Sequence, residues 1–294
     1  MSILPAVEHL QGRPLESLSR RERERLLEEE LDPTLSEDEQ KLVTEDDTPV
    51  DNILSEKQMR LLTEALYASW GGPPPGPDGA RRPFVAYANV GLYLALNQPP
   101  LVPDVLVSLD VEQPEDFDEK RDRVYFVWRF GKLPDLVLEI VSNKEGGELS
   151  TKRDRYTAVG IPLYVVFDPF HKLGPDTLLT FELRGGRYEP TSSPFFPALG
   201  IGLTLWKGRF EDVEREWLRW CDAGGDPLPT GVERAAKEKL RADEAKLRAD
   251  EAKLRAEKEK LRADEERLRA DEAKLRADRL AAKLRALGVD PDDI

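Results

Sequence analysis

Of 294 residues only one is cysteine, Cys221, and only two are histidine, His9 and His171. No intrachain disulfide is possible, and with no secretory leader at its start the chain is expected in a reducing, cytoplasmic setting. Cys221 closes the run Trp217-Leu218-Arg219-Trp220-Cys221 and reads as a small packing residue. The histidines lie in unrelated contexts, which argues against His-based nucleophilic catalysis and against a Cys/His zinc site. No apolar run approaches the ~18 residues that span a membrane. A phosphate-binding glycine loop and a helical metalloprotease motif are also missing.

A basic excess is missing as well. The net charge is −14, and only residues 233–287 carry more basic than acidic side chains, 18 against 14. Proteins that grip duplex DNA unaided usually show a basic patch, so strong non-specific binding is not expected. A local site that borrows positive charge from a bound ion remains open.

What is present divides into four stretches. Residues 1–50 are polar, acidic and broken by prolines, and read as a flexible acidic arm. Within it, residues 20–30 could form a short helix and residues 36–47 look solvated. Residues 51–232 hold an α/β core. An amphipathic helix is expected over 55–70, capped by Ser55, with Met59, Leu62, Leu66 and Trp70 on one stripe. The Gly/Pro run at 71–78 stops it. Strand-like segments follow at 84–96, 101–109, 125–130 and 136–141, then a helix at 151–160 and an apolar strand at 162–167. Shorter strands at 178–183, 187–189, 202–205 and 217–220 suggest a β-rich annex.

From about Glu233 the pattern changes. Leu240, Leu247, Leu254, Leu261, Leu268 and Leu275 recur every seven residues. The position four residues after each is charged, where a firm coiled coil wants a second apolar residue. Ion pairs such as Glu244–Arg248, Glu251–Arg255, Glu265–Arg269 and Glu272–Arg276 favour a long helix over 233–287 instead. It could associate with another copy or with a partner protein. Gly288 and Pro291 end it, leaving a short tail at 288–294.

Chemistry gathers on two carboxylates. Asp104 follows Pro103 in Pro103-Asp104-Val105-Leu106-Val107, and Glu139 sits inside Leu136-Val137-Leu138-Glu139-Ile140-Val141. Burying an unpaired carboxylate in such a strand costs several kcal/mol, on the order of 3–5 when a partner is removed. A hard divalent cation would relieve that cost, and two oxygen ligands plus water suits Mg²⁺. The alternative is that Glu139 points into water from an open edge strand. Apolar residues at both parities of this segment speak for a strand covered on both sides. Lys152 follows the turn Gly146-Gly147 and would lie near the end of the Glu139 strand; it could equally be a surface lysine.

These blocks carry a specific resemblance. PDVLV, PDLVLEIVS, a helix with Lys and Tyr, and GIPLYVVFDP, in that order, resemble the Uma2 family of the PD-(D/E)XK nuclease superfamily, over about residues 50–230. The charged helix ending in LRALGVDPDDI is similar to tails found on such proteins. The resemblance implies a restriction-endonuclease-like core, a mixed central sheet flanked by helices, that hydrolyses DNA phosphodiesters with Mg²⁺ or Mn²⁺. It implies that Asp104 and Glu139 bind the ion, and that Lys152 completes the catalytic set. The superfamily lysine normally lies two residues after the acid, where Val141 stands here; Lys152, four residues before Tyr156, matches a position shifted to the following helix. Ser142-Asn143-Lys144 departs from the commoner sequence after the acid. Glu64, on the first core helix, is a further metal-ligand candidate implied by some superfamily members. Ser142 and Glu148 are candidates to support the ligands or to serve as plain turn or cap residues. Tyr156 and Tyr164 read as core residues with a polar handle, and Asp168 before Pro169 as a turn former. A different reading keeps the nuclease core as an inactive scaffold or adaptor that works through its C-terminal helix.

Overall fold

Helix α1 (Ile53–Ser69) forms where the apolar spacing calls for it, and Met59, Leu62, Leu66 and Trp70 all enter one core cluster. The N-cap differs from expectation. Asn52 holds that place, its side-chain oxygen accepting the Ser55 N–H at 2.9 Å, while Ser55 is buried in the first turn. Asn caps as well as Ser does, by the same bond to an orphan N–H.

The computed structural model describes residues 52–286 except 97, 116 and 143–146, together with 9–10, 13–14, 38–39 and 42. The helix expected over 20–30, most of the run 36–47 and the tail 288–294 lie outside the described residues. Two compact units divide the chain, Met1–Gly231 and Val232–Ile294.

In the first unit six strands lie side by side in sequence order: β1 (Phe84–Ala88), β2 (Val105–Leu109), β3 (Leu136–Ile140), β4 (Leu163–Phe167), β5 (Leu178–Arg184) and β6 (Arg187–Pro190). Neighbours are antiparallel except β3 and β4. A parallel pair needs a crossover. Here it contains a wide turn, Glu148–Lys152, and helix α2 (Arg153–Val159).

The sheet is covered on both faces. Leu136, Leu138 and Ile140 of β3 pack with the α1 stripe, whereas Val137 and Val141 pack with Leu106, Tyr156, Tyr164 and Val166. Each fully buried Leu or Val contributes roughly 1.5–3 kcal/mol. Glu139 shares the second face and is 0 % exposed, so β3 is not an open strand.

The annex is one long hairpin, β7 (Ile201–Phe210) and β8 (Val213–Cys221), flanked by Phe195–Phe196. It locks onto α1 through Gln58, which donates to the Leu218 carbonyl at 2.8 Å and accepts the Leu218 N–H at 3.1 Å. Buried Cys221 ends β8, in the packing role expected of it.

Several expectations need correction. Residues 178–183 and 187–189, expected in the annex, belong to β5 and β6 of the main sheet, β5 pairing with β4. The segment 84–96 breaks after Ala88, and Leu92–Tyr93 pairs in parallel with Tyr125–Phe126. Residues 125–130 are not a strand: only Tyr125–Phe126 pairs, and Val127–Phe130 winds into a helical turn closed by Gly131 at φ 79°. The turn lets Tyr125 stack on Phe130 with ring centroids 4.1 Å apart and turns Trp128 and Arg129 toward Glu39. Tertiary contact thus overrides the strand preference of aromatic residues. Glu39, read as part of a solvated run, is 1 % exposed and held by Arg129 at 2.5 and 2.8 Å.

The second unit is helix. Helix α3 (Gly231–Ala286) is 56 residues long, about 84 Å at 1.5 Å per residue. Its heptad leucines are 53–62 % exposed, and Glu244–Arg248 closes at 3.9 Å. Among the described residues no helix is long and apolar enough to cross a membrane.

Candidate active site

Register brings the two carboxylates together. Val105 faces Leu138 at the end of the β2–β3 ladder, and Asp104 and Glu139 are the next residues along the two segments, close enough for the Asp104 charge to act on Glu139. Asp104 is half-exposed, and its Oδ2 accepts the Ile140 N–H at 2.6 Å. That bond fixes it against the end of β3.

The crossover supplies the rest. Gly147 sits at φ +69°, a conformation glycine adopts without penalty, and its carbonyl accepts the Lys152 N–H at 2.9 Å. The resulting five-residue turn is wide, a type found mostly inside helices near functional sites. It points Lys152 at the sheet. Its Nζ lies 2.8 Å from Glu139 Oε2 and 3.6 Å from Glu148 Oε1. One turn on, the Tyr156 hydroxyl donates to Glu139 Oε1 at 2.6 Å. From β4, the Tyr164 hydroxyl donates to the Glu148 carbonyl at 2.7 Å and ties the turn down.

The electrostatics follow from burial. Burial, and after it the charge of Asp104, pushes the Glu139 carboxyl up to about 8, against the downward pull of Lys152 and Tyr156. Burial would lower the Lys152 ammonium, but its pairing with Glu139 outweighs that and holds it above the ordinary lysine value. Burial, then Glu139, raises the Tyr156 hydroxyl well above its usual range, so it remains a donor.

Val141 occupies the place two residues after Glu139. It is 0 % exposed among apolar and aromatic neighbours on the Glu139 face. An ammonium there would be buried without water, whereas Lys152 reaches the same carboxylate with its side chain 36 % exposed.

Glu64 stands apart from this group. Its helix covers the opposite face of the sheet, and its Oε1 accepts the Gly231 N–H at 2.6 Å. Asp168 is a turn residue, its carboxylate accepting the N–H groups of Phe170 and Leu173.

Residues 48–201 match the family profile of Uma2, described as putative restriction endonuclease. The chain belongs to the Uma2 family. The matched segment covers just over half of the chain and contains Asp104, Glu139 and Lys152. It stops short of the 230 reached by the resemblance, at the first residue of β7. No curated protein matches the chain. Its six-stranded mixed sheet with flanking helices is the restriction-endonuclease-like fold expected of this nuclease family.

The donor set of this Uma2 protein fits a hard divalent cation. Asp104 and Glu139 offer only oxygen, and the charge of Asp104 makes a lone Glu139 carboxylate unfavourable, which a cation would reverse. Among the described residues no group of three or more His, Cys, Asp and Glu forms a cage. Two carboxylates suit an ion that keeps several of its waters, as Mg²⁺ does.

Glu148, a candidate either to support the ligands or to form a turn, stands beside Lys152, and Tyr156, read as a core residue with a polar handle, turns that handle onto Glu139. The signal was spacing: Glu148, Lys152 and Tyr156 fall four residues apart, and so on one side of the turn and helix.

Proposed function

We propose that the chain is a Mg²⁺- or Mn²⁺-dependent endonuclease that hydrolyses DNA phosphodiester bonds, with Asp104 and Glu139 as ion ligands and Lys152 as the third catalytic residue. One observation carries this reading: Lys152 Nζ sits 2.8 Å from Glu139 Oε2, and the Asp104 carboxylate is bound to the N–H of Ile140, the residue next to Glu139. Family membership supports the nuclease class.

An ion bound at the two carboxylates would polarise a phosphate oxygen and lower the pKa of a coordinated water. Asp104 is preset for this by its bond to the Ile140 N–H. Tyr156 holds one Glu139 oxygen and fixes the carboxylate's rotation. Lys152 would position or deprotonate the attacking water and meet the charge that develops on the phosphate.

The test is cleavage of supercoiled, linear and single-stranded DNA, and of RNA, by wild type, Asp104→Ala and Lys152→Ala with Mg²⁺ or Mn²⁺. The expected result is DNA cleavage by wild type that EDTA and either substitution abolish. Uncut DNA, together with no ion binding that Asp104→Ala removes, would sink the proposal. Preferential RNA cleavage would keep the chemistry and change the substrate.

A further inference from the structure

We propose that Glu148 is a second seat for the Lys152 ammonium: the lysine pairs with Glu139 when no divalent cation is bound, and shifts to Glu148 when a cation takes Glu139. This deepens the metal-dependent reading above and depends on it.

The ammonium already leans between the two carboxylates, 2.8 Å from Glu139 and 3.6 Å from Glu148. Glu148 is 3 % exposed, and its Oε2 is buried with no hydrogen-bond partner among the described residues. A buried acceptor left unmade is costly. It is the natural target for a donor that arrives in another state of the site. In the described site, the donor within reach is Lys152.

The two partners also differ in freedom. The Tyr164 hydroxyl pins the Glu148 carbonyl, and the turn is closed on Gly147. With the backbone tied and the side chain only 4 % exposed, the Glu148 carboxylate has little freedom. Lys152 has a flexible four-carbon stem that reaches partly into solvent. A divalent cation on Glu139 would repel an ammonium 2.8 Å from the same oxygen. Moving to Glu148, whose Oε1 is already 3.6 Å away, would keep Lys152 paired and charged. Glu148 is then a positioning residue that acts through Lys152.

The experiment is Mn²⁺ titration calorimetry on the full chain, using wild type, Glu148→Gln, Lys152→Gln and the double variant, with thermal unfolding in EDTA to check folding. Glu148→Gln is expected to weaken Mn²⁺ binding about tenfold, the low end of what residues behind the ligands contribute. Lys152→Gln, which removes the competitor for Glu139, is expected to bind at least as tightly as wild type. Adding Glu148→Gln to Lys152→Gln should change affinity less than about twofold, because the two residues act as one unit. Glu148→Asp keeps the charge and should fall between wild type and Glu148→Gln; it carries the comparison should Glu148→Gln unfold. Equal affinity of wild type and Glu148→Gln overturns the proposal, and so does a tenfold loss that persists without Lys152. Wild type that binds no Mn²⁺ overturns the metal-dependent reading and this one together, an outcome distinct from the other two.

Discussion

Two buried carboxylates in this protein meet a cation, and they do so in opposite ways. Glu39 is gripped by Arg129 through two bonds of 2.5 and 2.8 Å and by the Trp128 indole at 2.7 Å, with both charged side chains at most 3 % exposed. The planar guanidinium fork matches the carboxylate and is always charged. Glu139 meets a single-point ammonium whose stem reaches solvent, shares it with Glu148, and lies near a further carboxylate, Asp104. The first arrangement is closed and rigid. The second sets one partly exposed ammonium between two acids. A buried acid is therefore no mark of chemistry by itself; what distinguishes the Glu139 group is one cation serving more than one acid.

The contrast can be broken most sharply at Asp104. Asp104→Ala is expected to lower metal-dependent cleavage at least about a thousandfold, roughly 4 kcal/mol of transition-state stabilisation, while the metal-free protein loses no more than the roughly 1–3 kcal/mol of the Ile140 N–H left unpaired. A large loss of stability with residual cleavage would assign Asp104 to structure instead. Arg129→Ala should do the reverse. Leaving Glu39 buried and unpaired is expected to cost about 3–5 kcal/mol in urea unfolding. A loss below about 1 kcal/mol would mean that Glu39 escapes to water and that the closed pair is not closed.

Much of this was legible in the residues. The alternation in β3 gave both apolar faces, and with them the burial of Glu139 between Leu138 and Ile140. The α1 stripe was readable because a helix repeats its face every three to four residues. The long helix was readable from its heptads. Less accessible were features set by distant partners. The turn at Val127–Phe130 depends on Glu39, some 90 positions away in sequence, which local preference cannot encode. The closeness of Asp104 and Glu139 depends on strand register, and a one-residue slip would have sent one carboxylate to the other face. Tyr156 was read as a core residue because its ring is buried; only the fold shows where its hydroxyl points.

A smaller effect at Glu139 is read by pH. The Glu139 carboxyl is raised to about 8, mainly by burial, from an ordinary 4.5. The folded protein then keeps a proton that the unfolded chain releases. Stability from this group is complete below about pH 4.5 and is lost as pH rises through about 8. Each unit of difference is worth about 1.4 kcal/mol. In EDTA, wild type should lose more stability between pH 5 and pH 8.5 than Glu139→Gln, by more than about 1 kcal/mol. Urea midpoints at the two pH values measure it, and parallel slopes would show that Lys152 and Tyr156 already neutralise Glu139.

The weakest expected effect lies where surroundings are most open. Leu62 and Leu66 of α1 are fully buried, whereas Leu254 and Leu261 of α3 are 53 % and 61 % exposed. Truncating a buried leucine to alanine typically costs 2–5 kcal/mol, because transfer energy is lost and a cavity remains. At an exposed position neither loss applies, and alanine is at least as good a helix former. The double variant Leu254→Ala, Leu261→Ala should therefore leave helix content by circular dichroism unchanged and shift unfolding by no more than about 0.5 kcal/mol. A fall of several kcal/mol that grows on dilution would show instead that the leucine stripe is covered in solution by another chain, since only a bound partner makes stability depend on protein concentration.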